Sequence, residues 1–378
     1  MNKVHLNSIG KKLLVLVLFI AFTGMVFAIE VTITPPKFSA TGLYGPYVQE
    51  LNDEFVRVFK DLESELKGDL GDIDVNPKEL IGAFGNASVF SSDGATQRGY
   101  RGYNIFAVTV GAMVGFQLPV SPFKIMDEFD NLSNKLQDEA DIKLGLDAQL
   151  LNVQVGINSS FLIKNLYLGF KFGYMNLGLT EELTFKTSSF GVLGNYQWQP
   201  RRKIAAGMLL WRGVNLGAGL IYQKTDLGFE MALDTIGGDY APIDFYGNTI
   251  TTELTPKINM GLSMNTVTVP LEAVTSVRLL YFLNAALGFG IDLGFGSSKL
   301  EASAAAELKF TGLPPEVEQI QDASITAKMG GENGPSFFNP KVITGLGFSL
   351  GPVIIDIPVT FYLGNSGYNA GLTVGVVW

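Results

Sequence analysis

The stretch "LNAALGFGIDLGFG", Leu283 to Gly296, alternates between two kinds of side chain at every step. One set is apolar throughout, and the interleaved set consists of Asn284, Ala286, Asp292 and four glycines. A period of two is that of a β-strand, whose successive side chains point to opposite faces of the sheet. Strands of soluble sheets average about 5–6 residues, whereas this segment is long enough to cross a bilayer at a tilt. It therefore predicts a membrane-spanning strand.

The same alternation recurs along most of the chain from Tyr103 onward, as in "NIFAVTVGAMVGF", "NLYLGFKFGYM", "VNLGAGLIYQ" and "KVITGLGFSLG". The second face is rich in glycine rather than in the Lys and Glu expected on the wet face of a soluble sheet. Hydrocarbon cannot hydrogen-bond to a free strand edge, so such a sheet has to close on itself. The alternating segments number about thirteen, and single-chain bacterial barrels usually have even strand numbers. We therefore predict an all-β fold, a transmembrane outer-membrane β-barrel of about 14 (12–14) antiparallel strands, rather than a secreted soluble β-sandwich.

The last predicted strand is "LTVGVVW", in which Leu372, Val374 and Val376 share an apolar face with Trp378. In a closed barrel this strand pairs with the first barrel strand, so it exposes no free edge. An alternating strand that ends on an aromatic residue resembles the assembly signal of bacterial outer-membrane proteins. We therefore expect these four residues to engage the barrel-assembly machinery, and we expect outer-membrane lipid to surround the barrel.

The N-terminal region carries an apolar run, Leu13 to Ala28, preceded by three lysines. Its length and its flanks are typical of a secretory signal peptide with cleavage after Ala28; an N-terminal anchor helix is the alternative. Removal of residues 1–28 takes the three lysines away, so the net charge changes from −9 to −12. Export of this kind agrees with a location in the outer membrane of the cell.

Cleavage also removes His5, the single histidine, and the chain contains no cysteine. Ser-His-Asp catalysis, Cys-His catalysis and zinc sites built on those side chains are therefore excluded for the exported form. "GFSLG", Gly347 to Gly351, formally matches a nucleophile elbow, but no histidine is left to activate Ser349. We expect no catalytic residues, no metal, no cofactor and no enzymatic activity. The acidic charge balance also argues against nucleic acid as a partner.

The segment before the alternating region has a different pattern. "YVQELNDEFVRVFKDLESELKG" carries apolar residues at the three- and four-residue steps of an amphipathic helix, at Leu51, Phe55, Val58, Phe59, Leu62 and Leu66. An apolar stripe needs a surface to cover it, so we predict that residues 45–67 form a plug inside the barrel or at its periplasmic mouth; a periplasmic helix bound to another protein is the alternative. The predicted domains are a signal peptide at 1–28, a helical plug-like segment at 29–102 and the barrel at 103–378.

Other parts of the chain carry weaker predictions. A second helix is expected near residues 122–140, and two turn-rich connections, 234–249 and 312–338, are predicted to be extracellular loops. Trp198 and Trp211 are expected at a membrane–water interface. Charges on the small-residue face of the predicted strands are expected in the lumen, either hydrated and mutually paired or shaping a permeation path. These candidate lumen charges are Lys171, Asp292, Glu301, Glu307, Lys309 and Asp356.

Three stretches carry a resemblance to a known family: "FGNASVFSSDGATQRGYRGYNIF", "WRGVNLGAGLIYQ" and "EAVTSVRLLYFLNAALGFGIDLGFGS". Together with the signal peptide and Trp378, they resemble a spirochaetal family of outer-membrane surface proteins that are described as adhesins. A helical N-terminal segment followed by a barrel is also similar to the long-chain fatty-acid transporters. The second resemblance implies that residues 29–100 correspond to the plug of those transporters.

Two functions fit these features. A barrel encloses a lumen without revealing what passes through it. The N-terminal segment and the likeness to the transporters favour a passive channel for small hydrophobic molecules. The alternative is a surface adhesin that binds components of the host extracellular matrix through its extracellular loops.

Overall fold

The computed structural model describes residues 30–71, 77–92, 94, 105–118, 144–178, 180, 182–205, 208–232, 243–245 and 248–378. Within these ranges the chain forms two α-helices, α1 (Gly45–Gly71) and α2 (Pro77–Ser91), and a 3-10 turn at Gly42–Tyr44. The strands are β1 (Glu30–Thr34), β2 (Lys37–Ala40), β3 (Phe106–Gln117), β4 (Gly145–Asn158), β5 (Leu166–Gly178), β6 (Leu183–Gln199), β7 (Arg202–Ala205), β8 (Leu209–Ala232), β9 (Ile243–Phe245), β10 (Asn248–Leu279), β11 (Leu283–Thr311), β12 (Val317–Gln321), β13 (Ala323–Asn333), β14 (Phe338–Leu350), β15 (Val353–Tyr362) and β16 (Gly367–Val377).

Fourteen of the described strands hydrogen-bond into one sheet, and this sheet closes on itself. The closed path runs β11-β14-β15-β16-β3-β4-β5-β6-β8-β10 and returns from β10 to β11. Ten strands therefore form the ring among the described residues, and β1, β7, β9 and β13 are attached to it or extend it. The predicted antiparallel β-barrel is confirmed.

The ring closes where the first and last barrel strands meet. β16 pairs with β3 over its whole length, from Gly367 against Gln117 to Val377 against Ala107. Trp378 continues this ladder, because its N–H donates to Phe106 O at 2.9 Å and its carbonyl accepts from Ile105 N at 2.7 Å. The backbone of the last residue is thus held by the first barrel strand.

The strands are buried on one face and exposed on the other, as the alternation predicted. The exposed face is apolar on every strand of the ring, and its large residues include Phe106, Val110, Leu146, Val155, Phe170, Phe172, Phe190, Val192, Leu216, Leu220, Leu271, Leu287, Phe289, Leu346, Phe348, Ile357, Leu372 and Val374. The buried face carries many polar side chains instead. This inside-out arrangement, an apolar belt around a polar interior, is that of a transmembrane barrel in an outer membrane. None of the described helices is long and apolar enough to span a membrane.

The chain divides into two compact units. The second unit contains residues 78–227, 262–299 and 332–378, and therefore the closed ring and α2. The first unit contains residues up to 77 together with 228–261 and 300–331. Its core is formed by α1, β2, β12, the later part of β11 and the start of β13. The residues buried together in this core are Phe38, Val48, Phe55, Phe59, Ala306, Leu308, Phe310, Val317, Ala323 and Ile325.

The structure shows what covers one predicted helix, and it corrects one predicted loop. Helix α1 packs its apolar stripe against the first unit's own strands, where Phe55 contacts Phe38 and Phe310 with ring centroids 5.7 and 5.3 Å away. The stripe of residues 45–67 is therefore covered within the first unit, and its expected role as a plug stays a prediction. The connection 312–338, expected to be a loop, contains β12 and β13. The helix expected near 122–140 and the cleavage site at Ala28 lie outside the described residues.

Candidate functional site: the plugged lumen

Helix α2 lies inside the barrel. Its residues from Leu80 to Ser91 are almost all buried, including Ile81, Ala87, Ser88 and Phe90 at 0% exposure. The helix is short and rich in small residues, which allows it to fit between the barrel walls. Pro77 at its start has a φ angle suited to the first turn, and Glu79 in that turn complements the helix dipole.

Side chains of the wall hydrogen-bond to α2 from several directions. Asn86 donates to Gln117 Oε1 on β3 at 2.8 Å and accepts from Ser336 N before β14 at 2.6 Å. Ser88 Oγ is 3.0 Å from Thr266 Oγ1 on β10. The carbonyl of Phe90 accepts from Asn369 on β16. These bonds provide partners for polar groups that would otherwise be buried without one.

The glycines of the wall make room for this helix. A Cβ atom placed on Gly145 of β4 would collide with the carbonyl of Ala83. A Cβ atom on Gly367 of β16 would collide with the ring of Phe90. The glycine-rich face that the alternation pattern predicted is therefore the surface on which α2 packs.

A buried carboxylate sits next to the C-terminal end of α2. Asp147 Oδ2 on β4 accepts hydrogen bonds from Gln223 Nε2 at 2.7 Å and Thr225 Oγ1 at 3.1 Å, both on β8. Ser91 Oγ of α2 lies 3.4 Å from the same oxygen and accepts from Gln223 Nε2 at 2.7 Å. The end of the plug thus enters a polar network that connects two walls of the barrel.

An ion cluster lies on four neighbouring strands of the ring. Lys341 Nζ on β14 is 2.6 Å from Glu272 Oε1 on β10 and 2.6 Å from Asp292 Oδ1 on β11. Tyr362 on β15 donates to Asp292 Oδ2 at 2.8 Å. All four side chains are buried, and two carboxylates share one ammonium. We call Glu272, Asp292, Lys341 and Tyr362 the ion cluster.

The ion cluster touches the plug. The ring of Phe90 stacks on Tyr362, with centroids 3.9 Å apart. Gly94, beyond the end of α2, lies against the carboxylate of Glu272, where a Cβ atom would collide with that group. The plug therefore contacts the cluster through an aromatic ring on one side and through its backbone on the other.

A second polar crossing lies nearer the end of the barrel at which Trp378 is found. Arg212 on β8 donates from Nε and Nη2 to Asn284 Oδ1 on β11, at 3.2 and 3.1 Å. Asn284 Nδ2 donates to Ser349 Oγ on β14 at 2.9 Å. Elsewhere on the inner face of the ring, Thr109 Oγ1, Asn152 Nδ2 and Ser189 Oγ are buried without a hydrogen-bond partner among the described residues. This part of the lumen offers polar groups that water or a solute can satisfy.

The structure divides the candidate lumen charges into two groups. Lys171, Asp292 and Asp356 are buried on the inner face of the ring. Glu301, Glu307 and Lys309 belong to the first unit and are exposed, so they are not among the buried inner-face residues of the ring. Leu372, Val374, Val376 and Trp378 lie on the exposed face of the barrel. Their role as an assembly signal stays a prediction.

Several functional residues were not predicted from the sequence. Asp147, Glu272, Lys341 and Arg212 face the lumen, and each occupies a position that the alternation assigns to the inner face of its strand. Applying the same alternation to every strand would have found them. Among the described residues, no group of three Asp, Glu, His or Cys side chains is placed to hold a metal ion.

Comparison with known proteins identifies a family. The model of the Lsa36-like family matches residues 27–378. The chain belongs to the Lsa36-like family. This agrees with the resemblance to spirochaete surface proteins drawn from the sequence. No curated protein matches the Lsa36-like chain.

Solved outer-membrane barrels are distantly similar to the Lsa36-like chain. The translocator domain of the autotransporter NalP from Neisseria meningitidis is 8% identical, with 73% of this chain and 90% of that chain covered and a TM-score of 0.27. The CymD monoaromatic hydrocarbon channel is 9% identical, with 80% and 96% covered and a TM-score of 0.23. A Pseudomonas aeruginosa FadL homologue is 9% identical, with 80% and 98% covered and a TM-score of 0.21. Such distant likenesses carry no argument about function, and the fold rests on the strand pairing itself.

Proposed function

We propose that this protein is a gated outer-membrane channel for small polar solutes, closed by helix α2 and opened when α2 moves. The observation that carries this proposal is the polar contact surface between α2 and the barrel wall. A permanently closed interior is best built from apolar side chains. Here the wall presents Asn, Gln, Thr, Ser and charged groups to a helix that carries Asn86, Ser88 and Ser91 among its small and apolar residues. Such a wall can be hydrated when the helix leaves it.

The class of solute follows from the same lining. Passage of hydrophobic molecules, which the sequence favoured, would be supported by an apolar lumen. The buried face of β4 instead carries Asp147, Gln149, Asn152 and Gln154 in succession, and Thr187 and Ser189 face the lumen from β6. Polar solutes can exchange hydrogen bonds with these groups, so the proposed cargo is polar and small.

A disulfide lock tests the gate. Ser88 Oγ and Thr266 Oγ1 are 3.0 Å apart across the plug–wall boundary, and the chain has no cysteine of its own. The variant Ser88→Cys/Thr266→Cys should therefore tie α2 to β10 on oxidation. In planar bilayers, we expect oxidation to abolish channel openings and reduction to restore them.

A matched lock within the wall serves as the control. Thr187 Oγ1 on β6 and Thr225 Oγ1 on β8 are 3.2 Å apart, and neither belongs to the plug. Thr187→Cys/Thr225→Cys should leave conductance unchanged on oxidation. The gating role of α2 would be contradicted if the plug-locked variant conducts equally before and after reduction. It would also be contradicted if this variant conducts in neither state.

A second candidate function is adhesion by the first unit. The observation in its favour is that this unit has an aromatic core of its own, formed by Phe38, Phe55, Phe59 and Phe310. The unit is thus more than a set of turns between strands, and it can present a defined surface to a partner. Binding of the reconstituted protein to immobilised matrix proteins tests this role. Adhesion requires that replacing the exposed Glu301, Glu307 and Ile320 by Ser weakens this binding.

A further inference from the structure

At one end of the barrel every connection between ring strands is short, and the composition of these turns is unusual. This end, which we call the short-turn end, consists of residues 159–165, 200–205, 208, 280–282 and 351–352 together with Trp378. Backbone hydrogen bonds join these turns to neighbouring segments around the rim: Gln197 N to Asn165 O, Leu280 N to Met208 O, Ser349 N to Phe282 O and Val377 N to Pro352 O. The turns are therefore parts of one connected rim.

Large apolar side chains project from this rim. Phe161, Leu162 and Ile163 form the tip of one turn, and Phe161 is 81% exposed. Ile204, Met208, Leu280, Tyr281 and Phe282 are exposed on the neighbouring turns. Short turns that face only water are normally built from Gly, Asn, Asp, Ser and Pro, so these side chains indicate an apolar environment.

The turn at Leu280–Tyr281 holds two of these apolar residues in a strained backbone conformation. Their φ angles are 49° and 68°, in the left-handed region that two-residue hairpin turns usually fill with Asn or Gly. Leu and Tyr are strained in that conformation. A contact made by the Leu280 and Tyr281 side chains would explain why the turn keeps these residues and not Asn or Gly.

The charge of the short-turn end is opposite to that of the whole chain. The chain has 36 acidic and 27 basic residues. The turn residues of this end contain Lys164, Arg201, Arg202 and Lys203, all exposed, and no Asp or Glu. The guanidinium of Arg202 lies 6.0 Å from the centre of the Trp211 ring. Cations and aromatic rings are thus placed side by side at the rim.

The apolar part of the rim continues the belt that faces lipid. Trp198 and Tyr196 on β6, Leu350 on β14 and Val376 on β16 are exposed and extend the outward apolar face to the turns. Exposed apolar side chains interleaved with Lys and Arg are typical of surfaces that enter the headgroup region of anionic bilayers. The feature is independent of what passes through the lumen.

We propose that the short-turn end is a binding surface for anionic phospholipid in the adjacent leaflet. Lys164, Arg201, Arg202 and Lys203 contact the lipid phosphates, and the apolar turns insert at the boundary between headgroups and acyl chains. In an outer-membrane barrel the short turns face the periplasm, so the bound lipids belong to the inner leaflet. The alternative partner is an acidic protein surface, and the experiment below distinguishes it from anionic phospholipid.

The native tryptophans report on this surface. The chain contains three, Trp198, Trp211 and Trp378, and all of them lie at the short-turn end. The full chain is reconstituted in mixed vesicles of phosphatidylcholine and phosphatidylglycerol, with bromine close to the headgroup on one lipid or the other. We expect brominated phosphatidylglycerol to quench the fluorescence about twofold more strongly than brominated phosphatidylcholine, because each basic side chain near the surface attracts anionic lipid.

Two charge variants complete the test. The rim variant replaces all four basic residues of the short-turn end, as Lys164→Gln/Arg201→Gln/Arg202→Gln/Lys203→Gln, and the two brominated lipids should quench its fluorescence equally. The control variant replaces four exposed lysines of the first unit, as Lys37→Gln/Lys60→Gln/Lys309→Gln/Lys328→Gln. In the control, brominated phosphatidylglycerol should remain the stronger quencher. If the fourfold rim variant does not fold, Lys164→Gln/Lys203→Gln leaves Arg202 on Trp211 and should reduce the preference partially. Equal quenching by both lipids in the unmodified protein, or an unchanged preference in the rim variants, would overturn the proposal and leave a protein partner as the better explanation.

Discussion

Phe90 of the plug and Tyr362 of the barrel wall stack face to face, with ring centroids 3.9 Å apart and planes inclined by 20°. Tyr362 also donates its hydroxyl to Asp292 at 2.8 Å, and Asp292 holds Lys341. The plug and the ion cluster therefore share one aromatic side chain. A change at either ring should affect both the position of the plug and the packing of the wall.

Replacing Phe90 by Ala should release the plug and destabilise the barrel. Truncation of a buried Phe costs about 3–5 kcal/mol, and Phe90 is fully buried. We expect more frequent openings in planar bilayers and a lower urea midpoint in detergent. Tyr362→Phe is the control, because it keeps the ring and removes only the hydroxyl; fewer openings in Phe90→Ala than in Tyr362→Phe would contradict this assignment.

Replacing Lys341 by Met should leave Glu272 and Asp292 buried without their cation. Breaking a buried ion pair in this way costs about 3–5 kcal/mol. Neutralising both carboxylates as well, in Lys341→Met/Glu272→Gln/Asp292→Asn, should recover most of that loss. Urea unfolding of the three proteins measures the effect. If the single and triple variants are equally unstable, the cost comes from lost packing of the lysine stem and not from unpaired charge.

Replacing Gly145 by Val should push α2 away from β4. The new Cβ atom would collide with the Ala83 carbonyl, and the backbone of a helix cannot yield as a flexible side chain can. Increased conductance and faster proteolysis near residue 83 are expected. Gly194→Ala on β6 is the matched control, since a Cβ atom there meets only an ordinary contact at 3.8 Å. Similar behaviour of the two variants would argue against a specific role for the close approach.

Replacing Phe55 by Ala should unfold or loosen the first unit and leave the channel closed. Phe55 packs on Phe38, Phe59 and Phe310, so about 3–5 kcal/mol of local stability should be lost. Limited proteolysis within residues 45–67 reports the loss. Val56→Ala, at an exposed position on the same helix, should have little effect. A rise in conductance on Phe55→Ala would support the hypothesis that residues 45–67 act as the plug.

Replacing the strained turn by Leu280→Asn/Tyr281→Gly should stabilise the protein more in detergent than in anionic vesicles. In detergent micelles the variant should be more stable, because strain at two left-handed positions costs about 1–3 kcal/mol each. In phosphatidylglycerol vesicles the gain should shrink, since the two side chains no longer enter the lipid boundary. Urea unfolding in both media measures the difference. An equal gain in stability in detergent and in vesicles would show that Leu280 and Tyr281 do not contact the lipid.

The sequence predicts the barrel well because the deciding signal is local. Alternation with a period of two specifies which side chains of each strand face the same way, and the length of the alternating runs distinguishes a bilayer strand from a soluble one. The same rule locates Lys171, Asp292 and Asp356 on the inner face. It fails for Glu301, Glu307 and Lys309 because β11 continues beyond the ring into the first unit, where its exposed face meets solvent.

The helix inside the barrel, α2, was not recognised as a helix in the sequence, and the reason is physical. An apolar stripe, as on α1, suits a helix that has a core on one side and water on the other. A helix enclosed by a barrel is contacted from all sides, so its apolar residues are spread around it and do not form one stripe. In the sequence, residues 77–91 mix Leu80, Ile81, Phe84, Val89 and Phe90 with Gly, Ala, Ser and Asn, so the stretch lacks the pattern of an amphipathic helix.

By itself, the sequence determined that the protein is a closed antiparallel barrel with an apolar exterior, a small and polar interior and a C-terminal strand that pairs with the first. Local periodicity and the need to satisfy every backbone group in hydrocarbon are sufficient for that conclusion. Tertiary structure alone decided which helix fills the lumen and which charges meet. Glu272 and Lys341 lie far apart in the chain and meet because β10, β11 and β14 pair side by side, and Phe90 reaches Tyr362 only because α2 enters the barrel.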